Sequence, residues 1–343
     1  MTAPLVIYGA YGYTGELVAR RAVERGLSPV LAGRDSERLA RIARELRCEW
    51  RAFPLSDPEA LRRGLRGAAA VVHCAGPFVH TARPMAEACI DERVHYLDLT
   101  GEIPVFEALL AMGPAARNAG VMLLPGAGFD VVPTDCLAAH LVRRLPGART
   151  LTLALAGLDR VSYGTARTML EHAGSAGRAA AAGAPATRTF DLGFGPVTAV
   201  AVPWADRFTA PRSTGIPEVQ TYLVSNVAFR VLVRITPHLA PLLRSRRLRE
   251  ILASFMAEGE AGPSPERRAA RRSVVLGEAT DAAGRKVVAR QRHPDPYTLT
   301  ALAAVEIAER ALRGEAPPGW QTPATAYGPD LVLALPGVER EDL

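Results

Sequence analysis

Residues 5–15 constrain the fold of this chain more than any other stretch. The apolar run Leu5-Val6-Ile7-Tyr8 leads into Gly9-Ala10-Tyr11-Gly12-Tyr13-Thr14-Gly15, with glycines three residues apart, and then into a helical pattern. Glycine lets the backbone approach a phosphate closely, and the start of a helix offers N–H groups to an anion. A strand, a glycine turn and a helix in this order predict a dinucleotide-binding unit. The residues expected at the coenzyme are Gly9, Tyr11, Gly12, Tyr13, Thr14 and Gly15.

The second apolar run indicates which dinucleotide binds. Pro29-Val30-Leu31-Ala32 ends at Gly33-Arg34-Asp35-Ser36, where the second strand of such a unit stops. An acidic side chain there accepts a hydrogen bond from a free ribose 2′-hydroxyl, whereas the planar guanidinium of Arg34 suits a 2′-phosphate. The sequence therefore predicts NADP(H). The alternative is a glycine turn beside an unrelated surface arginine.

Composition narrows the functional class. The chain has 343 residues and is 48% hydrophobic, which is enough for two domains with separate cores. Its net charge is +6, but aromatic residues make up only 6% and the basic residues are scattered, so no nucleic-acid groove is indicated. Lys286 is the only lysine among the 41 Lys and Arg residues, which disfavours lysine-based catalysis.

The cysteines and the first residues suggest the compartment. Cys48, Cys74, Cys89 and Cys136 lie far apart without metal-ligand spacing, so we expect reduced thiols and no metal site. No signal peptide precedes the glycine turn, and no run of 18 uncharged apolar residues occurs. We therefore expect a cytoplasmic protein.

Residues 1–148 alternate short apolar runs with helical patterns, as is typical of a doubly wound parallel sheet, the Rossmann architecture. We predict strands at 4–8, 29–32, 49–53, 69–74, 94–98 and 121–125. We predict helices at 14–25, 36–47, 58–65, 81–92 and 105–119, with Ser36 and Asp57 as N-caps.

A second α+β domain for substrate binding and dimerisation is predicted over 149–319. Strands expected at 150–156, 197–204, 218–224, 272–280 and 286–292 favour a mixed, mostly antiparallel sheet. A helix over 297–313, a turn and a short last helix follow. We expect residues 320–343 to pack back on the first domain.

Ligands of doubly wound sheets lie beyond the carboxyl ends of the strands, so the loops there are candidate sites. Asp57 follows the third predicted strand and is placed to accept from the adenine amino group. Three further loops follow the fourth, fifth and sixth strands: Ala75-Gly76-Pro77-Phe78, Asp98-Leu99-Thr100-Gly101-Glu102 and Gly126-Ala127-Gly128-Phe129-Asp130. From these loops we assign Ala75, Gly76, Pro77, Gly101 and Phe129 to the coenzyme. The alternative is ordinary turns, helix caps and a core phenylalanine.

The sequence offers several candidates for the proton donor. The tyrosine and lysine pair of short-chain reductases is absent, and its nearest match is Tyr163-Gly164-Thr165-Ala166-Arg167. Hydride transfer to a conjugated carbonyl or imine needs orientation and one donor to the developing negative charge. The candidate catalytic residues are Tyr163, Thr165 and Asp130, with water as another donor. His172 is expected on a helix surface.

Residues 227–255 form a basic, amphipathic segment interrupted by Pro237 and Pro241. One interpretation is a helix packed on the second domain or on a dimer partner. The other is a wall for a lipid-like substrate or a peripheral contact with an anionic membrane.

The motifs at the strand ends occur in an order that resembles a known family. The glycine turn, Ala32-Gly33-Arg34 and the three loops are similar to those of saccharopine dehydrogenase-like reductases. The branch with trans-acting enoyl reductases also has elements similar to Ser162-Tyr163-Gly164-Thr165, Gly262-Pro263-Ser264, Asp295-Pro296-Tyr297-Thr298 and Thr322-Pro323-Ala324.

This resemblance implies a Rossmann domain, a second α+β domain, NADP(H) in the cleft and hydride transfer to C=C or C=N. The apolar 227–255 segment suits a dicarboxylate substrate poorly. It favours an activated alkene on a small hydrophobic, lipid- or polyketide-like substrate, free or carrier-bound, handled by a homodimer. The alternatives are an imine or amino-acid reductase and a scaffold protein that binds NADP(H) without turnover.

Overall fold

A computed structural model of the chain describes residues 4–157, 186–224, 245 and 262–343, which contain two seven-stranded sheets. The first sheet is entirely parallel, with the order β13-β6-β5-β4-β1-β2-β3. Its strands are β1 (Leu5–Tyr8), β2 (Val30–Gly33), β3 (Trp50–Ala52), β4 (Ala70–His73), β5 (His95–Asp98), β6 (Met122–Leu124) and β13 (Gly319–Trp320). The order of the first six is that of a dinucleotide-binding sheet, which confirms the predicted Rossmann architecture.

Helices cover both faces of the first sheet. The described helices are α1 (Tyr13–Glu24), α2 (Ser36–Leu46), α3 (Pro58–Leu65), α4 (Phe78–Glu92), α5 (Ile103–Ala119), α6 (Val132–Arg144), α7 (Asp206–Thr214), α8 (Pro265–Ala270), α9 (Pro296–Leu312) and α10 (Pro323–Tyr327). Apolar residues of α1, α2 and α9 share one core with the sheet, and those of α3, α4 and α5 share the other. Among the described residues, no helix combines the length and apolar character needed to cross a membrane.

The helix starts follow their capping residues. Asp57 caps α3 as predicted, because its Oδ1 accepts from the backbone N–H groups of Glu59 and Ala60, at 3.0 Å each. The prediction that Ser36 caps α2 is wrong. Asp35 is the N-cap, since it is extended and its carboxylate accepts from Arg38 N at 3.0 Å.

The second sheet is mixed and mostly antiparallel, as predicted, with the order β14-β12-β11-β7-β10-β9-β8. Its strands are β7 (Ala148–Ala156), β8 (Thr187–Asp191), β9 (Pro196–Val202), β10 (Glu218–Val224), β11 (Arg272–Asp281), β12 (Lys286–Pro294) and β14 (Glu339–Asp342). Only β7 and β10 pair in parallel among these strands. Edge strand β8 was not predicted, because its sequence TRTFD buries a single apolar side chain.

The chain crosses between the two sheets more often than the sequence suggested. Helix α9, expected in the second domain, packs against α1, β4 and β5, and α6 packs against β11 and β12. The last 24 residues divide between the two sheets. The segment that starts with β13 extends the first sheet beside β6, whereas β14 pairs with β12.

The glycine turn between β1 and α1 is tightly closed. Gly9 has a φ of +85°, and its N–H donates to the Ala32 carbonyl at 2.7 Å. A Cβ on Gly15 would lie 2.2 Å from the Gly9 carbonyl oxygen, so only glycine lets α1 begin this close to the turn. A Cβ on Gly33 would lie 2.6 Å from the Tyr11 ring, which places that ring against the end of β2.

We expect Gly15→Ala to destabilise the fold by about 1–3 kcal/mol, since the added methyl forces the turn and helix apart, and to abolish NADPH binding. The matched control is Gly26→Ala just beyond the other end of α1, where a Cβ meets nothing within 4 Å and only its φ of +79° is unfavourable. Chemical denaturation and titration of NADPH fluorescence check both effects. Wild-type NADPH affinity in Gly15→Ala would contradict this account of the turn.

Candidate coenzyme and active site

The first turn of α1 provides an anion site. Gly12 is its N-cap and contributes no side-chain hydrogen bond, so no capping side chain occupies the backbone N–H groups that open the helix. Gly9 and Gly12 close the turn before it, with Gly12 N donating to the Gly9 carbonyl at 2.9 Å. Thr14 lies within the first turn. This small-residue cradle fits the diphosphate of a dinucleotide.

Arginine side chains surround the end of β2. Arg34 is exposed and makes no hydrogen bond or ion pair with the part of the chain that the structure describes. Arg38, which sequence reasoning missed, holds its guanidinium 4.6 Å from the centre of the Tyr11 ring and donates to the Tyr11 carbonyl at 3.2 Å. The nearby carboxylate of Asp35 is used in capping α2. The spacing of Arg34 and Arg38, four residues apart at a helix start, was the available signal for Arg38.

The loop after β4 adjoins the glycine turn. A Cβ on Gly9 would lie 3.0 Å from Ala75 N, so the backbone of the two loops is in contact. Gly76 and Pro77 are joined by a cis peptide bond, and Pro77 immediately precedes α4. The first N–H groups of α4, from Phe78 and Val79, donate to the two carboxylate oxygens of Glu102 at 3.0 and 2.8 Å. The buried Glu102 thus fixes the loop in which Ala75, Gly76 and Pro77 lie.

Asp98 connects the loops after β5 and β6. Its Oδ1 accepts from Thr100 N at 2.9 Å and from Gly126 N at 3.0 Å, and its Oδ2 accepts from the Tyr96 hydroxyl at 2.6 Å. Burial raises the pKa of Asp98 to about 6, against the lowering effect of these donors. The structure therefore gives Asp98 a role in loop geometry, and α5 is capped by Glu102 instead.

Asp130 presents a carboxyl group at the same edge of the sheet. A Cβ on Gly101 would lie 2.8 Å from Asp130 Oδ2, so the carboxyl rests directly on the Gly101 backbone. Burial, followed by the charge of Glu102, raises the pKa of Asp130 to about 6. No cation pairs with Asp130 within the described ranges. Asp130 is therefore a group that can carry and release a proton near neutral pH.

Residues far along the chain complete the surroundings of Asp130. Trp204 Nε1 donates to the Asp130 carbonyl at 2.9 Å, and Phe129 N donates to Thr300 Oγ1 at 3.1 Å. Val131 and Trp204 belong to an apolar cluster that also includes Phe106. Sequence reasoning missed Trp204 and Thr300, and no local pattern marks them, because each is recognised only by its contact.

Two other buried titratable groups lie near this region. Burial raises the pKa of Asp206, the first residue of α7, to about 7, and its Oδ1 has no hydrogen-bond partner among the described residues. Burial lowers the pKa of His73, at the end of β4, to about 3, and neither of its ring nitrogens has a hydrogen-bond partner in the described part of the chain. His73 therefore stays neutral, in contact with the rings of Tyr8 and Phe78, and is unsuited to donating a proton at neutral pH.

Some of the remaining predicted site residues are described by the structure, and others are not. Asp57 is exposed and caps α3, and the Tyr13 hydroxyl donates to the Pro263 carbonyl at 2.6 Å. Tyr163, Thr165, His172 and, apart from residue 245, residues 227–255 lie outside the described residues, so their roles stay predictions. Within the described ranges, no three His, Cys, Asp or Glu side chains are arranged to hold a metal ion.

Comparison with known proteins identifies an NADP binding domain in the first part of the chain. Residues 5–124 match the model of the saccharopine dehydrogenase NADP binding domain. A probable mitochondrial saccharopine dehydrogenase-like oxidoreductase of Arabidopsis thaliana is 31% identical over 153 residues, which is 38% of this chain and 33% of the relative. A trans-acting enoyl reductase of Mycobacterium tuberculosis is 31% identical over 148 residues, which is 41% of this chain and 35% of the relative. The matched segments thus span about a third of the length of these relatives.

A solved structure extends the likeness to the whole fold. Apo saccharopine dehydrogenase (L-Glu forming) from Saccharomyces cerevisiae superposes with a TM-score of 0.64, covering 99% of this chain and 100% of that one at 11% identity. At this identity the match shows a shared fold alone. The resemblance indicated by the strand-end motifs is confirmed over residues 5–124, which match the saccharopine dehydrogenase NADP binding domain.

Proposed function

We propose that this chain is an NADPH-dependent reductase that saturates an activated C=C bond of a hydrophobic, lipid- or polyketide-like substrate, free or carrier-bound. The observation that carries this proposal is Asp130, a carboxyl group with its pKa raised to about 6 at the edge of an NADP-binding sheet. The trans-acting enoyl reductases among the relatives support the same reaction class.

Saturating the double bond requires a hydride at one carbon and a proton at its neighbour. When bound, NADPH supplies the hydride, with its two electrons, to the electrophilic carbon. The protein must orient the substrate and deliver the proton to the adjacent carbon, where negative charge develops. Asp130 meets the second need, because burial and the charge of Glu102 favour its protonated form.

The surroundings of Asp130 favour an apolar substrate over a dicarboxylate. No arginine pairs with Asp130 in the described part of the chain, whereas the residue after it and Trp204 belong to an apolar cluster. Recognition of amino-acid carboxylates depends on guanidinium or ammonium groups. This favours the alkene over the imine or amino-acid alternative.

The coenzyme preference depends on Arg34 in this proposal. We expect Arg34→Asp to weaken NADPH binding by about 100-fold and to improve NADH binding, because the carboxylate repels a 2′-phosphate and accepts from a 2′-hydroxyl. Arg41→Asp, with the same charge change at an exposed position of α2, is the matched control and should leave both affinities unchanged. Fluorescence titration gives the four dissociation constants. Equal NADPH affinity in wild type and Arg34→Asp would refute the assignment.

The substrate class is tested by coenzyme consumption. We expect loss of NADPH absorbance at 340 nm with α,β-unsaturated acyl thioesters, increasing with acyl chain length because apolar surface is buried. We expect no consumption with 2-oxo acids plus amines. The reverse pattern would establish the imine alternative, and silence with both substrate classes despite NADPH binding would favour the scaffold protein.

The role of Asp130 is tested by its amide. Asp130→Asn should lower kcat by about 100-fold, in the range of a lost general acid, and leave the NADPH dissociation constant within about twofold. In the wild type, kcat should be highest below pH 6 and fall as pH rises through the raised pKa of about 6, since the protonated form is the donor.

The matched control is Asp206→Asn, which alters a fully buried carboxyl whose pKa is also raised. Its pH profile should keep the inflection near pH 6. An Asp130→Asn protein with wild-type kcat and an unchanged profile would exclude Asp130 as the proton donor.

A further inference from the structure

A segment of the second domain covers the first residue of the diphosphate-binding helix. The Tyr13 hydroxyl donates to the Pro263 carbonyl at 2.6 Å, and Arg268 Nη1 donates to the Tyr13 hydroxyl at 2.8 Å and to the Pro263 carbonyl at 2.9 Å. Gly262 has a φ of +73°, and a Cβ there would lie 2.9 Å from the Tyr13 ring. We call these four residues, Tyr13, Gly262, Pro263 and Arg268, the Tyr13 clasp.

The Tyr13 clasp holds Arg268 in a defined position. Its guanidinium carbon lies 5.7 Å from the centre of the Tyr13 ring, and the edge of Tyr297 packs on the same ring with the centroids 5.1 Å apart. Tyr13 is the first residue of α1 and follows Gly12 directly. The clasp therefore ties Arg268 to the first residue of α1.

Arg268 makes no ion pair with the residues that the structure describes. Its hydrogen bonds to the described residues are made by Nη1 alone, so Nε and Nη2 have no acceptor among those residues. The nearby Asp295 is occupied at the start of α9, where its carboxylate accepts from Tyr297 N and Thr298 N. An arginine held in this way retains donors for an anion.

The glycine turn itself carries no positive side chain, and the guanidinium of Arg38 contacts it only at Tyr11. The turn Gly9-Ala10-Tyr11-Gly12-Tyr13-Thr14-Gly15 contains neither lysine nor arginine. The helix start contributes only a fraction of a positive charge, about half an elementary charge, whereas a dinucleotide diphosphate carries two negative charges. A guanidinium beside the turn would balance the remainder through charge-assisted hydrogen bonds.

We propose that Arg268 binds the diphosphate of the coenzyme from the second domain and that Tyr13 is the positioning residue that holds its guanidinium. The inference rests on the proposed use of NADP(H) and adds a binding residue that lies 253 positions beyond the glycine turn's last residue. Coenzyme binding thereby links the two domains at this point.

Direct binding measurements on the full chain test the proposal. Arg268→Gln should raise the dissociation constants of NADPH and NADH alike, by about 10- to 100-fold, as expected for lost hydrogen bonds to a charged group. Adenosine 2′-monophosphate, which lacks the diphosphate, should bind Arg268→Gln and wild type equally in calorimetry. Arg34→Asp should instead weaken the binding of adenosine 2′-monophosphate, because Arg34 is assigned to the 2′-phosphate.

Further variants show whether Arg268 contacts the diphosphate directly or only stabilises the Tyr13 clasp. Arg268→Lys keeps the charge and should recover most of the NADPH affinity, and Tyr13→Phe should weaken binding less than Arg268→Gln. Arg285→Gln, at an exposed hairpin turn, is the control. Where Arg268→Gln does not fold, Arg268→Met keeps the aliphatic packing and serves in its place.

The outcomes are distinguishable. Wild-type NADPH affinity in Arg268→Gln overturns the inference and leaves the proposed function intact. Equal losses in Tyr13→Phe and Arg268→Gln, without rescue by lysine, also overturn it, since the clasp is then structural. Failure of the wild-type chain to bind NADPH defeats the proposed function itself.

Discussion

Two buried carboxylates at the edge of the first sheet hold the site loops in place. Glu102 accepts from the first N–H groups of α4, which fixes the loop after β4. Asp98 accepts from Thr100 N and Gly126 N, which ties the loop after β5 to the loop after β6. Because buried backbone donors must find partners, these few hydrogen bonds decide the path of three loops.

The same arrangement sets the chemistry of Asp130. A carboxyl placed near the fixed charge of Glu102, and away from any cation in the described chain, is more easily protonated than one in water. The absence of a side chain at Gly101 gives the Asp130 carboxyl its space. Glu102 thus acts on both the path of the loop before α4 and the pKa of Asp130. Replacing Glu102 would therefore change the position of α4 as well as the charge state of Asp130.

The sequence predicted the first sheet well because its signals are local. Apolar runs of four residues, glycines at fixed spacing and an aspartate at a helix start each act within a few positions, and β1 to β6 appear where these signals place them. The helix cap at Ser36 was wrong by one residue, because Asp35 is equally suited to capping and lies at the position where the backbone is extended. Strand β13 was missed because two residues of Gly319–Trp320 carry too little pattern.

The candidate site was predicted only in part, since several of its contacts join distant positions. Arg268 lies 255 residues from Tyr13, and Thr300 lies 171 residues from Phe129. The entropic cost of closing such loops grows only slowly with their length, so a fold can use these contacts, while no sequence window contains both partners. Tyr13 shows the result. Its place in the glycine turn indicated a coenzyme contact, and its hydroxyl donates to the carbonyl of Pro263, 250 residues further along the chain.

The first sheet alone therefore does not make the site. It supplies the glycine turn, the arginines beside β2 and the carboxyl of Asp130, but Trp204 and Thr300 fix the backbone of the loop that carries this carboxyl. Both lie beyond residue 149, and α9, which carries Thr300, also packs on α1. The start of α1 and the loop after β6 are thus each held in place by later parts of the chain. Because buried backbone groups need partners, the position of the Asp130 carboxyl depends on residues that no local pattern in the first sheet could reveal.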